Sequence, residues 1–202
     1  MSSLLSPCFL FLSTIHRGFL HTGLRDKTNL LGETVQPKGG GGFKPVLEIM
    51  DRGDEAGTTN PSTKVFAAMT GPRCFGGCSE FCFSSNFGIA KVQDEEILGN
   101  IHDQPSDYAS IEKIRPKNFQ QAMREAFTDA DLYSVDFKES GVSARKKALV
   151  LSSMVLTDYM FFDRDNDMCR SDGNTTTITF FNCFCYGCIC PCQFSCSSDS
   201  SS

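Results

Sequence analysis

The 202-residue chain contains no tryptophan, only three histidines, no excess of basic residues and no apolar run of membrane-spanning length. Each shortage narrows the function. Crossing a hydrocarbon core of roughly 30 Å takes about 20 mostly apolar residues in a helix. The most apolar stretch, residues 148–162, falls short of that and carries Asp158 within it. An ionised aspartate in hydrocarbon costs several kcal/mol, so this stretch reads as a helix buried inside a domain. With 19 Lys and Arg against 24 Asp and Glu, the net charge is -5. No nucleic-acid partner is expected, because that affinity comes from neutralising phosphates, although Arg145, Lys146 and Lys147 form a local basic patch. Of the histidines, His16 and His21 precede the expected domain and His102 reads as a loop residue. Nucleophilic catalysis therefore finds no support in the sequence. No P-loop or dinucleotide fingerprint occurs, and the glycines at 39–42 have linker composition.

The amino-terminal stretch has an apolar run over residues 4–15 but no preceding positive charge, which a signal peptide needs. Residues 1–42 read as a disordered or non-homologous segment ending in the Gly linker, with the folded part beginning near Phe43 and running to residue 194. The Ser-rich residues 195–202 read as a disordered tail.

What the chain has in quantity is phenylalanine, 18 residues, and cysteine, 11 residues. The cysteines fall in groups rather than scattering as in a secreted disulfide framework, which favours reduced thiols in an intracellular setting. Short apolar segments separated by turn residues, at 46–50, 63–71, 81–92 and 96–103, predict antiparallel strands. Over 118–127 the period changes: Phe119, Ala122, Met123, Ala126 and Phe127 make the stripe of a short helix. Period two returns at 132–138, with Tyr133, Val135 and Phe137 on one face and Ser134, Asp136 and Lys138 on the other. The β-branched run at 175–181 predicts a last strand ahead of "NCFCYGCICPCQFSC". The class is mainly β with α.

Two cysteine groups call for separate readings. Cys74, Cys78 and Cys82, spaced by four with no nearby histidine, read as buried apolar cysteines. Cys183, Cys185, Cys188, Cys190 and Cys192 stand among aromatic and aliphatic residues, the setting for S-acylation beside a bilayer. Several acyl chains anchor stably where one does not. A four-thiolate metal site is the alternative, but the loop between its two hooks is too short for a standard zinc knuckle. The acidic stretch Asp163, Asp165, Asp167 starts like a calcium loop. It fails at its sixth position, Met168, and its twelfth, Asn174, and reads as a solvated helix exit.

Over residues 43–194 the chain resembles the phospholipid scramblase family. The resemblance rests on "TGPRCFGGCSEFCF" (70–83), "REAFTDADLYSVDF" (124–137), "KKALVLSSMVLTDYMFFD" (146–163) and the carboxy-terminal cysteine block, in that order. It implies a Tubby-like antiparallel β-barrel around a central hydrophobic helix. It also implies calcium-stimulated, ATP-independent movement of phospholipids between leaflets, at the intracellular face of membranes and at the plasma membrane above all. A non-catalytic, membrane-associated adaptor that binds lipid or protein partners is the alternative. The family domain normally begins with further strands and its own palmitoylated cysteine segment, so the barrel is expected to be incomplete and open-edged. In the family's calcium segment, acids hold positions one, three and twelve. Here these are Asp129, Asp131 and Ser140, with Asp136 and Glu139 as nearby carboxylates and the Tyr133 hydroxyl as a further oxygen. A site of so few carboxylates would be weak, at about 10⁻⁴–10⁻³ M. Otherwise Asp129 and Asp131 simply cap a helix-to-strand turn.

Overall fold

The computed structural model describes residues 17–21, 30–52, 64–93, 95–115, 132–162 and 169–197. The expected 118–127 helix, Asp129, Asp131 and the acidic stretch at 163–167 lie outside the described residues. In chain order the strands are β1 (Arg17–His21), β2 (Leu30–Val35), β3 (Val46–Asp51), β4 (Lys64–Thr70), β5 (Cys74–Phe75), β6 (Ser85–Lys91), β7 (Ala109–Lys113), β8 (Tyr133–Phe137), β9 (Cys169–Asp172), β10 (Thr175–Cys185) and β11 (Cys188–Ser197). Among the described residues two α-helices join them, α1 (Glu95–Gly99) and α2 (Ala144–Phe161).

Seven strands form one antiparallel sheet in the order β1-β2-β3-β4-β6-β7-β8. The sheet curls into a half-barrel with α2 in its hollow, as expected of an incomplete barrel around a hydrophobic helix. A smaller sheet, β11-β10-β5 with β9 paired to β10, lies against the far end of the helix.

Period-two alternation explains how the large sheet serves two cores. Leu47 and Ile49 of β3, Ala67 and Met69 of β4, Phe87 and Ile89 of β6, and Ala109 and Ile111 of β7 face the helix and are buried. Their neighbours Val46, Ala68 and Ala90 face the other way and are buried with Val92 and Ile101. That outer cluster is covered by α1 and a 3₁₀ turn at Ile101–Asp103, with Ile97 and Leu98 packed on it. Here the expected strand at 96–103 is corrected. The adjacent Ile97 and Leu98 both pack on this cluster, which a helical turn allows and a strand, sending successive side chains to opposite faces, does not.

A second correction concerns residues 1–42. Arg17–His21 and Leu30–Val35 are strands paired within the main sheet, so the fold starts well before Phe43. The glycines at 39–42 make a tight, hydrogen-bonded connection between β2 and β3 rather than a free linker. Gly32 shows why β2 belongs to the core. A Cβ there would lie 2.2 Å from the Met50 carbonyl oxygen and 2.7 Å from a Leu149 methyl, so α2 packs on β2 only because no side chain intervenes. At the other end, Ser195 to Ser197, expected in the tail, belong to β11.

The start of α2 is fixed by charge. Ser143 caps it, accepting from the Lys146 amide, and Arg145 reaches Asp51 at 2.8 Å and the Leu31 carbonyl at 2.8 Å. Basic residues oppose the helix dipole at an amino terminus. Asp51 offsets this for Arg145, while Lys146 and Lys147 lie over the rings of Phe66 and Phe137, each at 5.4 Å. At its other end, Phe161 stands at the junction of all three layers. Its ring centroid is 5.2 Å from Phe75 of β5, 6.1 Å from Phe87 of β6 and 5.9 Å from Phe184 of β10. Phenylalanine fills this junction without the ring N–H that a buried tryptophan must satisfy.

The outer side of α2 is less covered. Leu151, Val155 and Tyr159, four residues apart, are exposed on one stripe, while Leu149, Val150, Ser153 and Thr157 are wholly buried. The apolar composition on all sides therefore outruns the burial that the described residues provide. The junction is the more sensitive place: Phe161→Ala should lower stability by about 3–5 kcal/mol, read as a fall in the urea midpoint, whereas Val155→Ala should change it little.

Candidate functional site

The carboxy-terminal cysteine block is a β-hairpin. Tyr186 and Gly187 both have positive φ, 47° and 85°, which matches the two-residue type I′ turn favoured by strand twist. The register pairs Cys185 with Cys188, Cys183 with Cys190, and Phe181 with Cys192. Directly opposed residues share a face and successive residues alternate. Cys183, Cys185, Cys188, Cys190 and Cys192 therefore share one face, while Asn182 and Phe184 point into the core, each 1% exposed. Cys74 of β5 joins that face through its pairing with Cys183.

A register shift between Thr179 and Phe181 turns Phe180 and Phe181 outward together, and Phe194 is exposed further along β11. The outward face thus alternates thiols with exposed phenyl rings. At the hairpin tip the exposed Tyr186 ring packs edge-on to Phe43 at 5.2 Å, and the Arg73 guanidinium lies 4.7 Å above Phe43.

The five hairpin thiols are half-buried and none is in a disulfide. Burial, together with the adjacent Cys74 and Cys192 thiols, pushes the Cys183 thiol up to about 12. The Cys74 and Cys183 sulfurs are 2.9 Å apart. Among the described residues no three Cys, His, Asp or Glu side chains are grouped to hold a metal ion. The expectation that Cys74, Cys78 and Cys82 are buried is corrected. Cys74 and Cys82 are exposed and Cys78 is half-buried, because Phe75, Gly76 and Gly77 take the inner side of this segment and leave the cysteines on its outer side.

The calcium segment divides differently from the sequence grouping. Tyr133 lies on the inward face of β8 and donates its hydroxyl to Asp158 Oδ1 at 2.7 Å. Asp136 lies on the exposed face. Glu139 is exposed and paired with Lys91 at 3.1 Å. These three oxygens do not converge, so the described members of the set do not fit a cation cage.

The Tyr133–Asp158 bond shows what an aspartate does inside the apolar helix. Nearby, Lys113, only 8% exposed, is the inward residue opposite Tyr133 in the β7–β8 register. Its ammonium meets Glu80 at 3.0 Å and the Phe162 ring at 3.9 Å. A buried charge is tolerated when paired, and here one end of the barrel interior is polar. Sequence reading missed Lys113 and Glu80, although alternation along "ASIEK" places Lys113 on the same face as Ala109 and Ile111. His102 binds the Gly41 carbonyl through Nε2 at 2.7 Å and holds the glycine turn.

A family model described as Scramblase matches residues 59–164. Two curated proteins named phospholipid scramblase 1, from Mus musculus and Rattus norvegicus, are each 30% identical over 83 residues. The alignments cover 41% of this chain, 21% of the mouse protein and 20% of the rat protein, so the match spans about a fifth of the length of these relatives. No solved structure matches. The interior hydrogen bond can be tested directly. Tyr133→Phe should lower stability by about 1–3 kcal/mol by leaving the half-buried Asp158 carboxylate without its donor. A double-mutant cycle with Asp158→Asn should return a coupling energy of at least about 0.5 kcal/mol.

Proposed function

The chain belongs to the scramblase family, and from this premise we propose that it works at the intracellular face of phospholipid membranes, chiefly the plasma membrane, in ATP-independent, calcium-stimulated movement of phospholipids between leaflets. The observation that carries this reading is the outward face of β10 and β11, where reduced thiols alternate with exposed Phe180, Phe181 and Phe194. Acyl chains in thioester linkage to Cys183, Cys185, Cys188, Cys190 and Cys192 would enter the bilayer beside those rings, and two or more chains hold a protein stably. In this reading calcium contacts Asp129 and Asp131, and not Tyr133, Asp136 or Glu139.

A second reading is a peripheral, non-catalytic adaptor that binds lipid headgroups or protein partners. It is favoured by the packing of one face of α2 on the sheet, where Leu149 and Val150 are wholly buried, and by the tie of its start to Asp51. No helix among the described residues is long and apolar enough to cross a membrane.

Reconstitution into liposomes with a fluorescent lipid separates the two. Calcium-dependent loss of leaflet asymmetry supports the first reading; vesicle binding without lipid exchange supports the adaptor. Replacing the five hairpin cysteines by serine should abolish hydroxylamine-sensitive palmitate labelling and move the protein to the soluble fraction. Asp129→Asn with Asp131→Asn should remove the calcium response, whereas Asp136→Asn should leave it unchanged.

A further inference from the structure

Three pairs of facing cysteines occur on β5, β10 and β11, and strand geometry distinguishes them. In an antiparallel sheet, hydrogen-bonded pairs alternate with non-hydrogen-bonded pairs, and side chains approach more closely in the latter. The Phe184 amide donates to the Arg73 carbonyl at 2.8 Å, which makes Phe184 and Arg73 a hydrogen-bonded pair. The next pair along, Cys183 with Cys74, is therefore non-hydrogen-bonded. On the other side of β10 the phase is opposite. Cys185 and Cys188 close the two-residue turn and are a hydrogen-bonded pair, as is Cys183 with Cys190 two residues away. Of the three pairs, only Cys74 and Cys183 occupy the closer arrangement.

A non-hydrogen-bonded pair has Cα atoms about 4.5 Å apart, inside the roughly 4.4–6.8 Å range that a disulfide spans. The two sulfurs, at 2.9 Å, are already nearer than a non-bonded contact allows to be comfortable. Disulfide formation would shorten that separation to about 2.05 Å.

We propose that Cys74 and Cys183 are a reversible disulfide site, oxidised by peroxide and reduced by small thiols. Cys74 is exposed and Cys183 half-buried, so Cys74 meets the oxidant first. Its thiolate attacks one peroxide oxygen; the S–O bond forms as the O–O bond breaks, and hydroxide leaves, giving a sulfenic acid. The Cys183 sulfur then attacks the Cys74 sulfur; the S–S bond forms, the S–O bond breaks, and the Cys183 proton leaves with the hydroxyl as water. In sum, two thiols and hydrogen peroxide give one disulfide and two waters. The raised Cys183 thiol leaves the first reaction with peroxide to Cys74, because a protonated thiol is a poor nucleophile; the short intramolecular path then delivers Cys183 to the sulfenic acid. The product links β5 to β10 across 109 positions of sequence. The inference stands on the strand register and the sulfur separation, and it concerns the form with Cys183 unacylated, since a thioester sulfur cannot enter a disulfide.

The test uses the full chain, reduced, desalted and exposed to hydrogen peroxide before alkylation, digestion and non-reducing mass spectrometry. The expected result is a Cys74–Cys183 linked peptide as the predominant intramolecular crosslink, lost on treatment with dithiothreitol. In Cys190→Ser that crosslink should persist. Predominant linkage of Cys183 to Cys190, or of Cys185 to Cys188, would overturn the proposal, as would stepwise oxidation of Cys74 to sulfinic acid with Cys183 still alkylatable.

Discussion

The meeting of Phe161 with Phe75, Phe87 and Phe184 is the contact on which the other layers depend. Phe87 belongs to the large sheet and Phe75 and Phe184 to the small one, so the end of α2 is what joins the sheets. A helix this apolar is stable in water only where neighbouring elements exclude solvent from it. The large sheet does so along Leu149, Val150, Ser153 and Thr157, and the small sheet closes the end. The rest of the architecture serves that enclosure. Gly32 lets the helix approach β2, and Arg145 holds its start against Asp51.

Much of this was legible in the sequence, for reasons that particular residues make clear. Residues 148–162 were too short and, with Asp158, too polar to span a membrane, and the helix lies inside the fold. "YSVDF" alternated cleanly, and Tyr133, Val135 and Phe137 do pack toward the core. What misled was composition without context. Four glycines look like a linker, yet Gly40 is buried and donates its amide to Pro37. β1 and β2 were missed because "RGFLH" and "LLGETV" are short and carry a glycine each, a weak strand signal. Residues 96–103 read as a strand because so brief an apolar stretch fits either period.

The candidate site was legible only in part. The cysteine block was visible, but not that a hairpin would set five of its thiols on one face or that Cys74, far off in sequence, would join them. That pairing is a tertiary fact with no local signature. The grouping of Tyr133 with the carboxylates had the opposite fault. The residues are adjacent in sequence, but the strand turns Tyr133 inward to Asp158 and Asp136 outward.

The tie between Arg145 and Asp51 spans 94 positions, and its consequence is one of timing. A ribosome makes β1 to β4 long before it makes the helix that fills their hollow. Those strands emerge with Leu47, Ile49 and Met69 uncovered and with sheet edges unpaired, the condition in which nascent chains associate wrongly. Closing contacts of such long range is also slow. Synthesis of this chain thus passes through an interval of vulnerability that ends only when α2 and then β10, with Phe184, have cleared the exit tunnel, and the demand on chaperones falls in that interval.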